Sequence, residues 1–176
     1  MSKHLTGRNK LCTLEESYLS AYGQGFNSKQ NKDLICLRNN DYEKLASTDF
    51  SKIAAFIFEP GSAGGKISFP SEEFITALIE KAKTGGCLLI LDEVTTGMGR
   101  TGKWFGFEHY RLIADIVACG KGLGNGYPIS SVSVKKEIAN MFLQEPFRYA
   151  QSHQNDPLGC AIALGVIKQI DRTNLV

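Results

Sequence analysis

The sequence has no C-x-x-C pair, no H-E-x-x-H and only three histidines, so a zinc centre has no ligand set to build on. Its five cysteines, at 12, 36, 87, 119 and 160, are odd in number and widely spaced. They argue against a disulfide framework and fit a reducing cytoplasm. No apolar run approaches the roughly 18 residues that span a bilayer. The opening MSKHLTGRNK is polar and lacks the apolar stretch of a secretory signal. Charge of one sign is also missing. Twenty basic and 18 acidic residues leave a net +2, which excludes the strong basic excess that would point to nucleic acid as the main partner. There are no repeats, low-complexity stretches or linkers.

What the chain does have is enough apolar residue, 43% of 176, to build a core. Short apolar runs recur at 34–37 (LICL), 54–58, 87–91 (CLLIL), 116–119 (IVAC) and 130–134 (SSVSV). The middle three are continuous rather than alternating, as in strands of a parallel sheet covered on both faces. Cys87 and Cys119 fall within such runs and read as small buried hydrophobes. Between the second and third runs the spacing predicts an amphipathic helix over 71–84. Ser71 is its cap, Glu72 and Glu73 fill its first turn, Lys81 and Lys83 its last, and Gly85-Gly86 stop it. Phe74, Ile75, Leu78, Ile79 and Ala82 form its apolar stripe. Strand, helix, strand is a βαβ unit, and 94–115 is long enough for a second crossover.

A last helix is predicted from Asp156 as cap and Pro157 at its first position. Its run LGCAIALGVIKQI is apolar around most of its circumference. Such a helix needs cover on several sides, which leads us to expect a longer chain or a partner subunit.

Two charged residues follow buried runs. CLLIL ends in Asp92-Glu93, and IVAC ends in Gly120-Lys121. In a parallel sheet, ligands bind beyond the carboxyl ends of the strands. An acid and an amine 121 − 92 = 29 residues apart are therefore expected to face one crevice. A buried structural ion pair, or two solvated strand ends, accounts for such residues equally well. The other reading is a cofactor site. Pyridoxal phosphate needs a lysine for its Schiff base and a carboxylate to keep its pyridine nitrogen protonated. Nucleotide motifs fail in the glycine-rich stretch 120–126. G-x-G-x-x-G would need Gly at Asn125 or Tyr127, and the phosphate-loop pattern would need Gly at Asp115 and a hydroxyl at Gly122.

Four stretches together resemble the class III pyridoxal-phosphate aminotransferases of fold type I. They are AAFIFEP (54–60), LLILDEVTTGMGRTGKWFGFEHY (88–110), DIVACGKGLGNGYPIS (115–130) and SHQNDPLGCAIAL (152–164). Order and spacing agree over roughly residues 5–170. The resemblance implies an α/β fold, a three-layer sandwich with a mostly parallel sheet. It makes residues 1–176 part of the large, aspartate-aminotransferase-like cofactor domain, without the small C-terminal domain. It implies pyridoxal 5′-phosphate as cofactor, ping-pong transfer of an amino group from a donor to a keto acid or aldehyde, and a homodimer. Lys121 matches the lysine of the internal aldimine and proton shuttle. Asp92 matches the acid on the pyridine nitrogen. Val94 matches the apolar residue on one ring face and Tyr18 the aromatic residue on the other. Ser152 matches a hydroxyl that reaches the phosphate in the neighbouring subunit, and Glu59 a supporting acid.

Departures from the family pattern bear on the substrate. Thr95 stands where many members have glutamine. Leu19 and Ser20 replace the usual histidine and glycine, and GSAGG after Pro60 has no glutamate. The upstream phosphate-binding turn is missing from this sequence. Arg100 could bind a carboxylate or fix its loop. His109 and His153 are given no catalytic part. The competing reading is a catalytically inactive fragment or interaction module that keeps part of the cofactor site.

Overall fold

The computed structural model describes residues 1–21, 31–61 and 67–176. Within them the sheet is mixed and six-stranded, with strand order β2-β1-β3-β4-β5-β6. The strands are β1 Lys10–Leu14, β2 Leu34–Leu37, β3 Ile53–Phe58, β4 Leu88–Asp92, β5 Ile116–Cys119 and β6 Ser131–Val134. The helices are α1 Ser2–Thr6, α2 Tyr42–Ser47, α3 Glu72–Thr84, α4 Lys136–Gln144 and α5 Pro157–Thr173. The α/β class expected from the sequence is the class observed. The chain divides into two compact units, Met1–Leu91 and Asp92–Val176.

In the first unit β1 pairs in parallel with both β2 and β3, and β3 pairs in parallel with β4. Strand β3 carries the core: Ile53, Ala54, Ala55, Phe56 and Phe58 are fully buried. Two-sided burial is why its run is continuous rather than alternating. Helix α3 forms as its sequence dictates. The Ser71 hydroxyl accepts from the Phe74 N–H, and the stripe of Phe74, Ile75, Leu78, Ile79 and Ala82 is buried. Phe74, Ile75, Leu78 and Ile79 each contribute about 2 kcal/mol of apolar burial. The helix stops where Gly85 lies tight against Phe50. A Cβ there would sit 2.8 Å from the Phe50 carbonyl carbon. Arg8 Nη1 secures this end from α1's side of the chain, lying 2.8 Å from the Gly85 carbonyl, 3.1 Å from that of Gly86 and 3.0 Å from that of Ile53.

Strand β1 was not among the expected runs, nor were the short helices α1 and α2. Lys10 and Thr13 interrupt the apolar signal of KLCTL. Thr13 is nevertheless buried because its hydroxyl donates to the Ile57 carbonyl at 3.1 Å.

In the second unit β5 and β6 are antiparallel, Ile116 opposite Val134 and Cys119 opposite Ser131. Cys119, Leu123 and Ala163 form a small core, packed by Met98, Phe105, Val117 and Ile129. Burial pushes the Cys119 thiol up to about 11, in keeping with its reading as a small hydrophobe. The crossover 94–115 contains turns and a 3₁₀ segment, Gly106–Tyr110, and no α-helix. Gly99 and Gly102 hold φ of 82° and 81°, a conformation that breaks any helix.

Helix α5 starts as expected, the Asp156 carboxylate accepting from the Leu158 N–H. Only Gly159 and Ala163 of it are buried, while Leu158 and Leu164 remain 58% and 51% exposed. Among the described residues no helix is long and apolar enough to cross a membrane.

Candidate active site

Asp92 ends β4 and opens the second unit. The chain beyond it lies beside β5, because the Glu93 N–H donates to the Ala118 carbonyl at 2.8 Å. That bond brings the ends of the two apolar runs together. Asp92 Oδ1 accepts from the Val94 N–H at 3.0 Å. No hydrogen bond to its other oxygen is made among the described residues. Burial pushes the Asp92 carboxyl above its ordinary value, and the Val94 N–H and the Lys121 charge pull the other way. A half-buried carboxylate of this kind is stabilised by a further positive partner.

Lys121 follows Gly120 directly after β5 and begins a 3₁₀ turn through Gly124. Its φ is +40°, which non-glycine residues adopt at a cost of about 1–3 kcal/mol and which concentrates at functional sites. Its Nζ donates to Thr95 Oγ1 at 2.8 Å. Glycines let the loop after β4 approach the loop after β5. A Cβ on Gly120 would sit 3.3 Å from Val94 Cγ1, and one on Gly122 would sit 3.2 Å from Met98 Cβ. Beside them opens a cavity of about 420 Å³, lined by Thr95, Met98, Arg100, Lys121 and the backbone of Gly97, Gly99 and Gly122. Arg100 is exposed, and its side chain has no hydrogen-bond or ion-pair partner among the described residues.

Sequence reasoning passed over Glu93. It is 1% exposed and its carboxylate gathers three donors at 2.8 Å: Thr96 Oγ1, the Gly106 N–H and the Phe107 N–H. Burial is the largest influence on its carboxyl and raises it, while these donors act in the opposite direction. Glu93 also accepts, through its carbonyl, from the Gly97 N–H at 3.0 Å. It therefore fixes the loop that carries Val94 and Thr95. The available signal was an acid placed directly after a buried strand, with a threonine three residues on.

The first unit holds Tyr18 and Glu59. Glu59 is buried and its Oε2 accepts from the Tyr18 N–H at 2.7 Å and from Ser17 Oγ at 3.4 Å. This anchors the 3₁₀ turn Tyr18–Ala21 and leaves Tyr18 44% exposed. Ser20 is buried, its hydroxyl 2.6 Å from the carbonyls of Glu15 and Ser17. Beyond Gly61, the GSAGG stretch lies outside the described residues.

Ser152 and His153 sit in an exposed turn before α5, and the Ser152 side chain makes no hydrogen bond among the described residues. His109 Nε2 lies 3.1 Å from Thr101 Oγ1, a contact within the connection 94–115. No group of three or more potential metal ligands occurs among the described residues.

A lysine and a carboxylate at the ends of neighbouring buried strands in a mostly parallel sheet define a class of protein, and comparison with known proteins names the family. The family described as Aminotransferase class-III matches residues 5–176, and the chain belongs to it. A [LysW]-aminoadipate semialdehyde/glutamate semialdehyde transaminase from Sulfolobus acidocaldarius is 30% identical over 186 aligned positions, covering 99% of this chain and 47% of that protein. An acetylornithine aminotransferase from Methanopyrus kandleri is 38% identical over 136 positions, covering 77% and 34%. Among solved structures, an (S)-enantioselective omega-transaminase from Thermomicrobium roseum superposes with a TM-score of 0.81 at 29% identity, covering 98% of this chain and 47% of that one. The chain thus spans less than half the length of the curated relatives it matches.

Proposed function

We propose that residues 1–176 are part of the large domain of a pyridoxal-phosphate-dependent aminotransferase. The whole protein moves an amino group from an amino donor to a keto acid or aldehyde in two half-reactions, the first product leaving before the acceptor binds. The observation that carries this reading is the meeting of the β4 and β5 ends within the second unit. There Asp92 presents a half-buried carboxylate and Lys121 a strained, glycine-flanked amine beside a cavity.

The residues present fit the cofactor on their own chemistry. Asp92 has an oxygen without a hydrogen bond among the described residues, and its burial calls for a cationic partner, which a protonated pyridine nitrogen is. Glycines at 120 and 122 keep side chains out of the space between the two loops. When bound, pyridoxal phosphate supplies an aldehyde carbon that exchanges amines and a ring that takes up electron density.

The chain's residues then divide the work. Asp92, through the oxygen that the Val94 N–H leaves open, would hold the proton on the ring nitrogen. Val94 would cover one ring face. Lys121 Nζ would be the amine that holds the cofactor at rest and, once displaced, would take the proton from the donor's α-carbon and pass it to the cofactor. Ser152, exposed in its turn, reaches the phosphate held by the second subunit of a homodimer. A reducing cytoplasm is the setting we propose, in keeping with an odd number of widely spaced cysteines.

Absorbance and turnover test this against the inactive-fragment reading. Purified protein mixed with pyridoxal phosphate is expected to develop a band near the violet edge of the visible, and Lys121→Ala to lack it. Identical spectra from the two proteins sink the proposal. A band without amino transfer from any member of a donor panel favours the fragment.

A further inference from the structure

Resting on the reading of Lys121 as the working amine, the bond between its Nζ and Thr95 points to a second task at the same site. A lysine that holds a cofactor at rest, is displaced in one half-reaction and rejoins it in the other must wait somewhere in between. A long side chain released into solvent samples many rotamers, at a cost of up to about 2 kcal/mol when it is ordered again. Lys121 is exposed, so packing alone does not hold its end.

Thr95 Oγ1 lies 2.8 Å from Nζ. Threonine is suited to this because its β-branch restricts χ1 and fixes the hydroxyl relative to the backbone. The backbone is itself fixed. Two residues upstream, Glu93 bonds Ala118, Gly106 and Phe107, and Thr96 and Gly97 bond back to Glu93. At the other end, Lys121 is held in the left-handed region, with the Leu123 N–H closing the turn onto the Gly120 carbonyl at 2.9 Å. Both partners of the bond are thus set on anchored backbone.

We propose that Thr95 is a positioning residue that docks the Lys121 amine whenever it is not joined to the cofactor, so that Nζ waits at the cavity rim for its return. A hydroxyl suits both protonation states of the waiting amine. It accepts from an ammonium, and it donates to the lone pair of a neutral amine. Valine, of the same shape, can do neither. Glutamine, which many members of the family have at this position, would put its amide two bonds further from the backbone. The charged groups around this bond are Asp92, whose carboxyl feels the Lys121 charge, and Arg100, which lines the same cavity.

The first test needs no cofactor. An amine-reactive acylating reagent is applied over a range of pH, and modification at each lysine is read by peptide mass spectrometry. Lys135, held by Asp115 at 2.7 Å in the same unit, serves as internal reference. Thr95→Val is expected to raise the rate at Lys121 relative to Lys135 about fivefold, the size of one net hydrogen bond. Thr95→Ser should stay within about twofold of wild type. Thr95→Ala carries the same expectation as Thr95→Val, in case the larger side chain disturbs the loop and changes Lys135 as well.

The second test uses the loaded protein. After the amino donor is removed and a keto acid added, the violet-edge band should return several-fold more slowly in Thr95→Val than in wild type, with equal final amplitude. Equal Lys121 labelling in wild type, Thr95→Val and Thr95→Ala overturns the proposal. If the labelling effect is found but wild type forms no band with pyridoxal phosphate, it is the cofactor reading that has failed and not the docking of the amine.

Discussion

The Glu93 carboxylate accepts a 2.8 Å hydrogen bond from the backbone N–H of Gly106, thirteen residues downstream. With the Phe107 N–H and the Thr96 hydroxyl on the same group, one buried acid closes the long connection after β4 onto its own beginning. The loop carrying Val94 and Thr95 owes its place to that closure.

Removing the acid should therefore loosen more than one bond. Glu93→Ala leaves three donors without a partner, two of them on the backbone, and is expected to cost about 3 kcal/mol or more. Urea unfolding reads the loss. Amide exchange at Gly106 and Phe107 should quicken before global unfolding, whereas unchanged protection of both would show that Glu93 is not the clasp.

Gly85 makes a prediction about stability alone. Its Cβ position lies 2.6 Å from Phe50 Cβ and 2.8 Å from the Phe50 carbonyl carbon. Backbone cannot step aside as a flexible side chain can. Gly85→Ala should destabilise by about 1–3 kcal/mol, measured as a lower urea midpoint with an unchanged slope. A neutral effect would mean that α3 ends further from Phe50 than described.

Asp92 gives a pH dependence with a definite sign. Its folded carboxyl lies above its ordinary value because burial disfavours the charge. The folded state then binds its proton more readily than the unfolded state, so stability falls as pH rises between the ordinary carboxylate value and the raised one. This is the reverse of a carboxylate whose value is lowered by pairing, such as Asp49 with Ser51 and Lys52. Asp92→Asn removes the titration. Subtracting its stability-against-pH curve from that of wild type should leave a difference that favours wild type at the acid end of this window and declines through it. A flat difference would contradict the burial argument.

Much of this was legible before any coordinates. Helix α3 was readable from Ser71 to Gly86 because cap, charges and apolar stripe all agree, and α5 from Asp156-Pro157 for the same reason. The neighbouring ends of β4 and β5 followed from an acid and a lysine placed just after continuous apolar runs. Strand β1 was not legible, because Thr13 looks like a break in the run until its hydroxyl is seen on the Ile57 carbonyl. The crossover 94–115 was legible in length but not in form, since positive φ at Gly99 and Gly102 replaces a helix with turns. Glu93 was missed because a sequence shows an acid but not the backbone N–H groups that converge on it. Thr95 was noted only as a departure, for its partner lies 26 residues away.

The central claim is that one particular amine holds the cofactor, and chemical trapping tests it most directly. The protein is equilibrated with pyridoxal phosphate, reduced with borohydride and digested, and the pyridoxyl group is located by peptide mass spectrometry. The account predicts near-complete modification at Lys121 and its loss in Lys121→Ala. A label spread over exposed lysines, with the same pattern in wild type and Lys121→Ala, would contradict it.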